Sequence, residues 1–238
     1  MAADWDTFRA VLFDLDGVIT PTAEVHMRAW SKMFNDFLDE RGVTEPYTDQ
    51  DYFDHVDGKP RYDGVRDFLA SRGIELPEGG PDDPPGVQTV RGLGDQKNER
   101  FGRELAQEGV APYPGSLRLL EVLRDRDMSM AVVSSSANAP DVLRAAGVDS
   151  FFPVVIHGGV AAERNLRGKP APDTFRAAAD DLGVPYSDAV VIEDATSGVA
   201  AGRAGDFGLV VGVDRGAGVA ALTKAGADVV VADLAELA

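Results

Sequence analysis

Two aspartates, Asp14 and Asp16, follow an apolar run near the start of the chain and precede Gly17. The run Val11–Phe13 predicts a strand buried on both faces, as in a parallel sheet covered by helices. Both carboxylates should point to the same side beyond the end of this strand, where open α/β sheets bind ligands. A metal ion or a proton must relieve their mutual repulsion. An Asp-Gly turn that merely ends the strand is the alternative, and the pair of carboxylates favours a site.

A second acidic pair, Glu193-Asp194, ends the apolar run 189–192. Parallel strands place their carboxyl ends at one edge of a sheet, so this pair is expected near the first one. Oxygen ligands from Asp14 and Asp194, with Glu193 as a further candidate, suit a hard divalent ion. Mg²⁺ favours a few carboxylates together with phosphate and water.

Two further stretches carry groups that can bind an anion. The run 128–133 predicts a strand and leads into Ser134-Ser-Ser-Ala-Asn138, whose hydroxyl and backbone N–H groups can either cradle a phosphate or cap a helix. Gly168-Lys-Pro-Ala-Pro-Asp173 places Lys169 in a turn that prolines restrain on both sides. Taken alone, Lys169 is better explained as a surface lysine.

The composition limits the class of protein. With 238 residues, 44% hydrophobic and 26% charged, the chain has the composition of a globular protein with ample material for a core. Its net charge of −17 argues against nucleic acid or an anionic membrane as partner. It has no cysteine and no apolar run near the ~20 residues of a membrane span. Because its N-terminus also lacks the features of a secretory signal, we expect a cytoplasmic protein.

The hydrophobic periodicity predicts the elements that must position these residues. After residue 115, strands alternate with helices, a pattern typical of a parallel sheet built from βαβ units. The predicted strands are 128–134, 154–156, 189–194, 209–213 and 228–231, and the predicted helices are 116–125, 139–146, 173–182, 197–204 and 219–225.

Residues 21–111 lack this alternation. The sequence predicts helices at 23–40, 62–71 and 95–108, and an acidic, proline-rich loop at 77–85 separates the last two. The spacing of the apolar residues in the first helix indicates a core-facing stripe. We therefore predict an α/β core domain of residues 1–20 and 112–238 with an inserted helical domain of residues 21–111.

In chain order, Asp14-Leu-Asp-Gly-Val-Ile, Ser134, Lys169 and Glu193-Asp194 resemble the four motifs of the haloacid dehalogenase superfamily of phosphoryl-transfer enzymes. The resemblance covers essentially the whole chain. It implies a Rossmann-like parallel core with helices on both faces and an inserted α-helical cap domain.

The resemblance also implies roles for these residues. Asp14 would be the nucleophile that forms an aspartyl phosphate, and Asp16 the general acid/base. Mg²⁺ would be bound by Asp14, the Asp16 carbonyl, Glu193 and Asp194. The implied substrate- and phosphate-binding residues are Ser134, Ser135, Ser136, Asn138, Lys169, Arg61, His26 and Lys97.

Within the superfamily, four stretches resemble the β-phosphoglucomutase-like subfamily: residues 14–30, Gly58-Lys-Pro-Arg61, Lys97-Asn98 and Ser134-Ser-Ser-Ala-Asn138. His26 matches a residue that helps to position Asp16. Arg61 matches one that grips the substrate's distal phosphate, which Ser136 and Asn138 would face from the core. Two positions depart from the best-known members, which have lysine at position 137 and aspartate at position 21, where this chain has Ala137 and Pro21.

The resemblance implies a phosphomutase that interconverts β-glucose 1-phosphate and glucose 6-phosphate through a bisphosphate intermediate. A phosphatase that hydrolyses a sugar phosphate through the same aspartyl phosphate is the alternative. Arg61 and His26 favour the mutase, whereas Ala137 favours the hydrolase. Receiver domains of signalling proteins also combine an acidic pocket with a lysine, but they are about half as long and have no cap. The expected partner is a small-molecule sugar phosphate, and the expected state is a monomer.

Overall fold

The computed structural model describes residues 5–238, except for the side chain of Glu108. Residues 1–4, part of the N-terminus from which the sequence predicts no secretory signal, lie outside the described residues. The chain divides into two compact units, one made of the residues up to Thr22 together with Val110–Ala238, the other of Ala23–Gly109. These boundaries lie two residues from those that the sequence predicts.

The first unit contains a six-stranded, entirely parallel sheet with the strand order β3-β2-β1-β4-β5-β6. Strands β2 and β3 follow on one side of β1, and β4, β5 and β6 follow on the other, so the strand order reverses at β1. In α/β sheets, ligands bind beyond the carboxyl ends of the strands at such a reversal. In chain order the strands are β1 (Ala10–Phe13), β2 (Ser129–Val133), β3 (Val154–Ile156), β4 (Ala189–Glu193), β5 (Leu209–Val213) and β6 (Val229–Val231).

Eight of the ten α-helices of the described residues lie where the sequence predicts a helix. Short 3₁₀-helices lie at Trp5–Thr7, Asp149–Phe151, Tyr186–Asp188 and Leu234–Leu237, and a π-helical turn lies at Tyr52–Val56. The α-helices are α1 (Thr22–Glu40), α2 (Asp49–Asp51), α3 (Arg61–Ser71), α4 (Val90–Glu108), α5 (Pro114–Arg124), α6 (Ala139–Ala145), α7 (Gly158–Glu163), α8 (Asp173–Leu182), α9 (Thr196–Ala204) and α10 (Val219–Ala225).

Central strand β1 is buried on both faces because its four residues are all apolar. Ala10 and Leu12 pack in one cluster with Phe175 of α8, and each is fully buried. The alternation of a strand turns Val11 and Phe13 to the opposite face, where they are also fully buried. The predicted α/β core with a parallel, helix-covered sheet is therefore confirmed.

The second unit is helical, and its core is aromatic. The apolar stripe of α1 packs against α3 and α4, with Phe34 lying between Trp30 and Phe68 at ring-centroid distances of 5.2 and 4.2 Å. Among residues 5–238, no helix is both long and apolar enough to cross a membrane.

Two predictions about the second unit differ from the structure. Helix α4 begins at Val90, five residues before the predicted start, because the hydroxyl of Thr89 accepts a hydrogen bond from Gly92 N at 3.0 Å and caps it. Gly92 and Gly94 lower the helix propensity of this first turn and hide it from the sequence pattern. The short helical turns at 49–56 were not predicted, and neither was α7 of the first unit.

Candidate active site

The carboxyl edge of the sheet brings Asp14, Lys169 and Glu193 into direct contact. Asp14 follows β1 and Glu193 ends β4, and the register of these neighbouring strands places the two residues side by side. The ammonium of Lys169 donates to Asp14 Oδ1 and to Glu193 Oε1, each at 2.5 Å, and to the Val133 carbonyl oxygen at 3.0 Å. All three side chains are buried, so water screens their charges little.

The pKa values of both Lys169 and Asp14 are raised. Burial alone would lower the pKa of Lys169, but the carboxylates of Asp14 and Glu193 outweigh it. Burial raises the pKa of Asp14 well above its usual range, and Glu193 and Asp16 add to this shift while Lys169 opposes it. One lysine therefore faces several carboxylates, an excess of negative charge that a bound cation would relieve.

Asp14, Glu193 and Asp194 each offer a carboxylate oxygen, and these atoms lie within 4.8 Å of one another. Two glycines border them closely: a Cβ on Gly17 would lie 1.8 Å from Asp194 Oδ2, and one on Gly198 would lie 1.8 Å from Glu193 Oε1. Gly17 also has φ +83°, a left-handed conformation that favours glycine. Hard oxygen donors grouped in this way fit a divalent ion such as Mg²⁺.

Asp16 lies just beyond Asp14 and is held by hydroxyl groups. Thr22 Oγ1 donates to Asp16 Oδ1 at 2.5 Å, and Ser134 Oγ is 3.4 Å from Asp16 Oδ2. Thr20 Oγ1 lies 2.7 Å from Thr22 Oγ1, and both threonines are buried. The Asp16 carboxylate is thus oriented by the segment that follows it and by the end of β2.

Ser134 and Ser136 organise the turn between β2 and α6. The Ser134 hydroxyl accepts a hydrogen bond from Ser136 N at 3.1 Å, and the Ser136 hydroxyl accepts one from Asn138 N at 3.2 Å. A Cβ on Gly158 would lie 2.6 Å from the carbonyl oxygen of Ser135, so this turn packs tightly on the start of α7. The hydroxyls therefore have a role in shaping the turn, in addition to the phosphate contacts that the resemblance implies.

In the second unit, Lys97 of α4 contacts His26 of α1. The Lys97 ammonium lies against His26 Nδ1, 5.0 Å from the Trp30 ring centroid and 5.1 Å from that of Phe101. The His26 ring stacks on Phe101 with centroids 3.9 Å apart. Both His26 and Lys97 are buried, and a buried ammonium among aromatic faces is stabilised by cation–π attraction.

Arg61, at the start of α3, is paired with Asp95 of α4. Arg61 Nη1 donates to Asp95 Oδ1 at 2.8 Å, and the Tyr62 hydroxyl donates to the same oxygen at 2.9 Å. Gly94 permits this approach, because a Cβ there would lie 2.8 Å from the Tyr62 ring and 3.2 Å from Arg61 Cδ. The arrangement fixes the direction of the Arg61 side chain.

The structure therefore distributes the predicted site residues over both units. Asp14, Asp16, Ser134, Lys169, Glu193 and Asp194 come together at one edge of the sheet, with Ser135, Ser136 and Asn138 in the adjoining turn, whereas His26, Arg61 and Lys97 lie in the helical unit. Sequence reasoning missed Thr22, Asp95 and Gly198. Only Gly198 carried a signal, since a glycine within a predicted helix is costly and often has a packing reason.

Comparison with known proteins identifies the family. A sequence model of haloacid dehalogenase-like hydrolases matches residues 8–206. A β-phosphoglucomutase of Mycobacterium bovis is 50% identical over 238 aligned positions, covering 96% of this chain and 91% of that protein. A β-phosphoglucomutase of Bacillus subtilis is 32% identical over 96% of this chain and 91% of its own length.

A solved structure supports the same relationship. The crystal structure of a β-phosphoglucomutase from Clostridium difficile superposes with a TM-score of 0.77 at 25% identity, covering 97% of this chain and 93% of that one. The chain belongs to the haloacid dehalogenase-like hydrolase family and is an enzyme of that family. The resemblance inferred from the motifs is thereby confirmed.

Proposed function

We propose that this protein is a Mg²⁺-dependent β-phosphoglucomutase, which converts β-glucose 1-phosphate to glucose 6-phosphate through an aspartyl phosphate and a glucose bisphosphate. The observation that carries the proposal is the 50% identity to a mycobacterial β-phosphoglucomutase over nearly the full length of both chains. The buried cluster at the carboxyl edge of the sheet supplies the groups that this reaction requires.

Asp14 is the proposed nucleophile. Its carboxylate attacks a phosphoryl group, an Asp14 oxygen–phosphorus bond forms, and the bond from phosphorus to the leaving oxygen breaks. Such a transfer chiefly needs in-line positioning and stabilisation of charge. Lys169, 2.5 Å from Asp14 Oδ1, reduces the repulsion between carboxylate and phosphate and would bind a phosphoryl oxygen. Dividing the reaction through a covalent intermediate replaces one difficult step by two easier ones.

Asp14, Glu193 and Asp194 would hold Mg²⁺, with the Asp16 carbonyl as the further ligand that the resemblance implies. When bound, the ion supplies positive charge that offsets the negative charge of the phosphate and the carboxylates. Glu193 Oε2 accepts a hydrogen bond from Ala195 N at 2.8 Å, which keeps its carboxylate oriented toward the cluster.

Asp16 is the proposed general acid/base. As a base it takes the proton from the sugar hydroxyl that attacks phosphorylated Asp14, and as an acid it returns a proton to the departing sugar oxygen. The hydrogen bond from Thr22 Oγ1 at 2.5 Å orients its carboxylate. One residue can serve both steps because the reaction is symmetrical about the bisphosphate.

Arg61 is the proposed ligand of the distal phosphate, the one that does not react. A mutase must hold this group while the bisphosphate turns over, whereas a phosphatase need not. A guanidinium can bind a phosphate through two parallel hydrogen bonds. Position 137 carries alanine and adds no positive charge, so Arg61 is the residue that would supply the positive charge for the distal phosphate.

The decisive experiment supplies the enzyme with Mg²⁺, β-glucose 1-phosphate and a trace of glucose 1,6-bisphosphate to phosphorylate Asp14. Glucose 6-phosphate and inorganic phosphate are measured in the same reaction, and other sugar phosphates are tested in parallel. A mutase forms glucose 6-phosphate in large excess over released phosphate. Ready release of phosphate without glucose 6-phosphate would identify a sugar-phosphate phosphatase instead.

We further propose a cytoplasmic enzyme that works as a monomer on small sugar phosphates, without nucleic-acid or membrane partners. The absence of cysteine suits a cytoplasmic protein, and the net charge of −17 argues against nucleic-acid or anionic-membrane partners. Size-exclusion chromatography with light scattering tests the oligomeric state directly.

A further inference from the structure

The segment that follows Asp16 is held by three donors from distant parts of the chain. The carbonyl oxygens of Gly17, Val18 and Ile19 are consecutive, and each accepts a hydrogen bond from a different residue. Ser116 Oγ donates to Val18 O at 2.6 Å, and Tyr113 N donates to Ile19 O at 2.9 Å. The Gly17 carbonyl, next to Asp16, receives its hydrogen bond from the side chain of Arg215.

Arg215 lies in the loop after β5 and is fixed on several sides. Its Nε donates to Gly17 O at 2.9 Å and its Nη1 to Ala232 O at 3.2 Å. The guanidinium carbon lies over the Tyr113 ring, 4.0 Å from its centroid, within cation–π distance. The side chain is only 21% exposed, and Nη2 is 3.7 Å from Asp233 Oδ2. Lysine cannot reproduce both this contact and the Nε–H donor.

The position of Gly17 matters for the carboxylate beside it. Gly17 N donates to Thr20 O at 2.8 Å, so a short turn carries the chain from Asp16 to the threonines. Thr22, which orients the Asp16 carboxylate, lies two residues after this turn. A displacement of the Gly17 peptide would therefore move both Asp16 and the hydroxyl that orients it.

We propose that Arg215 is a positioning residue for the general acid/base Asp16 and acts through the Gly17 carbonyl. This inference rests on the proposed function. Among the described interactions, Arg215 contacts neither the carboxylates of Asp14 and Glu193 nor the ammonium of Lys169. Its loss should therefore leave the position of the nucleophile Asp14 unchanged.

The experiment compares two phosphoryl transfers, of which only one needs a general acid or base. Acetyl phosphate can phosphorylate Asp14 without a general acid, because acetate is a good leaving group. Transfer from phosphorylated Asp14 to a sugar hydroxyl needs a base to take the proton. Arg215→Ala should lower kcat for isomerisation about 10- to 100-fold, as expected for a misplaced catalytic group. KM and, at saturating Mg²⁺, the single-turnover rate with acetyl phosphate should stay within about threefold of wild type.

Arg176 provides a matched control. Its Nε also donates to a glycine carbonyl, Gly205 O at 3.4 Å, and its guanidinium carbon lies 5.3 Å from the Tyr186 ring centroid. It is part of neither the cluster nor the 17–19 segment, so Arg176→Ala should leave kcat within about twofold of wild type. Tyr113→Ala removes the ring beneath Arg215 but keeps the backbone donor, and should give a smaller loss of the same pattern.

The outcomes separate the inference from the proposed function. Unchanged kcat in Arg215→Ala, or a loss no larger than in Arg176→Ala, overturns the inference. So does an equal loss in both transfers at saturating Mg²⁺, because Arg215 would then act on Asp14 rather than on the general acid/base. A normal rate with acetyl phosphate shows that the variant is folded. If wild-type enzyme yields no glucose 6-phosphate, the proposed function fails. In that case, the same variants are compared with hydrolysis of sugar phosphate as the measured reaction in place of isomerisation.

Discussion

Gly198 lies against the carboxylate of Glu193 so closely that a Cβ at position 198 would be 1.8 Å from Glu193 Oε1. That oxygen also accepts the 2.5 Å hydrogen bond from Lys169, and Oε2 accepts one from Ala195 N. Real Cβ atoms do not approach an oxygen so closely, and Glu193 is fully buried, so it has nowhere to move without breaking these contacts. The backbone of α9 thus sets the position of one carboxylate of the cluster.

We therefore expect Gly198→Ala to displace Glu193 and to lower activity about 10- to 100-fold while raising the Mg²⁺ concentration needed for half-maximal rate. Its overpacking should also cost about 1–3 kcal/mol of stability. Gly102→Ala is the matched control, since Gly102 is also helical and a Cβ there meets nothing within 4 Å. This control should keep full activity and gain about 0.5–1 kcal/mol. Wild-type rates and Mg²⁺ dependence in Gly198→Ala would contradict the packing argument.

Asp14→Asn should abolish turnover while the protein stays folded, because an amide cannot form the aspartyl phosphate. Mass spectrometry after incubation with acetyl phosphate should detect phosphoenzyme in wild type and none in the variant. The cluster also loses one negative charge, so the metal-free variant should unfold at the same temperature as wild type or slightly higher. Appreciable turnover by Asp14→Asn, with deamidation excluded by mass, would rule out Asp14 as the nucleophile.

Removal of divalent ions should abolish activity, and Mg²⁺ should restore it. Ca²⁺ should substitute poorly, because its larger and more flexible coordination shell misplaces the phosphoryl group. Asp194→Asn removes one of the three clustered carboxylates and should raise the Mg²⁺ midpoint by about tenfold or more. Titration calorimetry with Mg²⁺ reads out binding independently of turnover. Full activity after exhaustive treatment with chelator would exclude the proposed metal site.

The sequence predicted the sheet and the acidic residues at its carboxyl edge because the relevant signals are local. Apolar runs of three and four residues identify β1 and β4, and the acidic residues that follow them fall at the same edge once the strands are parallel. The sequence alone gave only a weak signal that Lys169 belongs to the site. Its contacts with Asp14 and Glu193 join positions 155 and 24 residues apart, and only the fold brings them together.

Other features depend on packing that leaves no local pattern. Nothing in the sequence distinguishes Thr22 and Asp95 from other helix residues. In the structure, Thr22 orients the Asp16 carboxylate and Asp95 orients the Arg61 guanidinium. Likewise, the link from Arg215 to Gly17 spans 198 residues. The predicted start of α4 is five residues too late, because two glycines mask the helical pattern of its first turn. The helix begins where the Thr89 side chain caps it.

The last prediction separates a mutase from a hydrolase, and it concerns Arg61. Loss of a charge-assisted pair of hydrogen bonds costs roughly 1.5–3 kcal/mol. Arg61→Ala should therefore reduce isomerisation of β-glucose 1-phosphate about 10- to 100-fold or more, whereas phosphorylation of Asp14 by acetyl phosphate should change far less because that donor has no distal phosphate. Asp95→Asn, which keeps the shape but weakens the 2.8 Å ion pair, should give a smaller loss of isomerisation.

Arg66 supplies the control for that comparison. It lies on the same helix as Arg61, and its side chain is 44% exposed and paired with Glu78. Exposed ion pairs contribute about 0–1 kcal/mol, so Arg66→Ala should leave both reactions within about twofold of wild type. Both rates are measured on wild type and on all three variants, with glucose 1,6-bisphosphate present in the isomerisation assay. Equal losses of the two reactions in Arg61→Ala would mean that Arg61 supports the helical unit rather than the distal phosphate. A sugar-phosphate hydrolase would then describe the enzyme better.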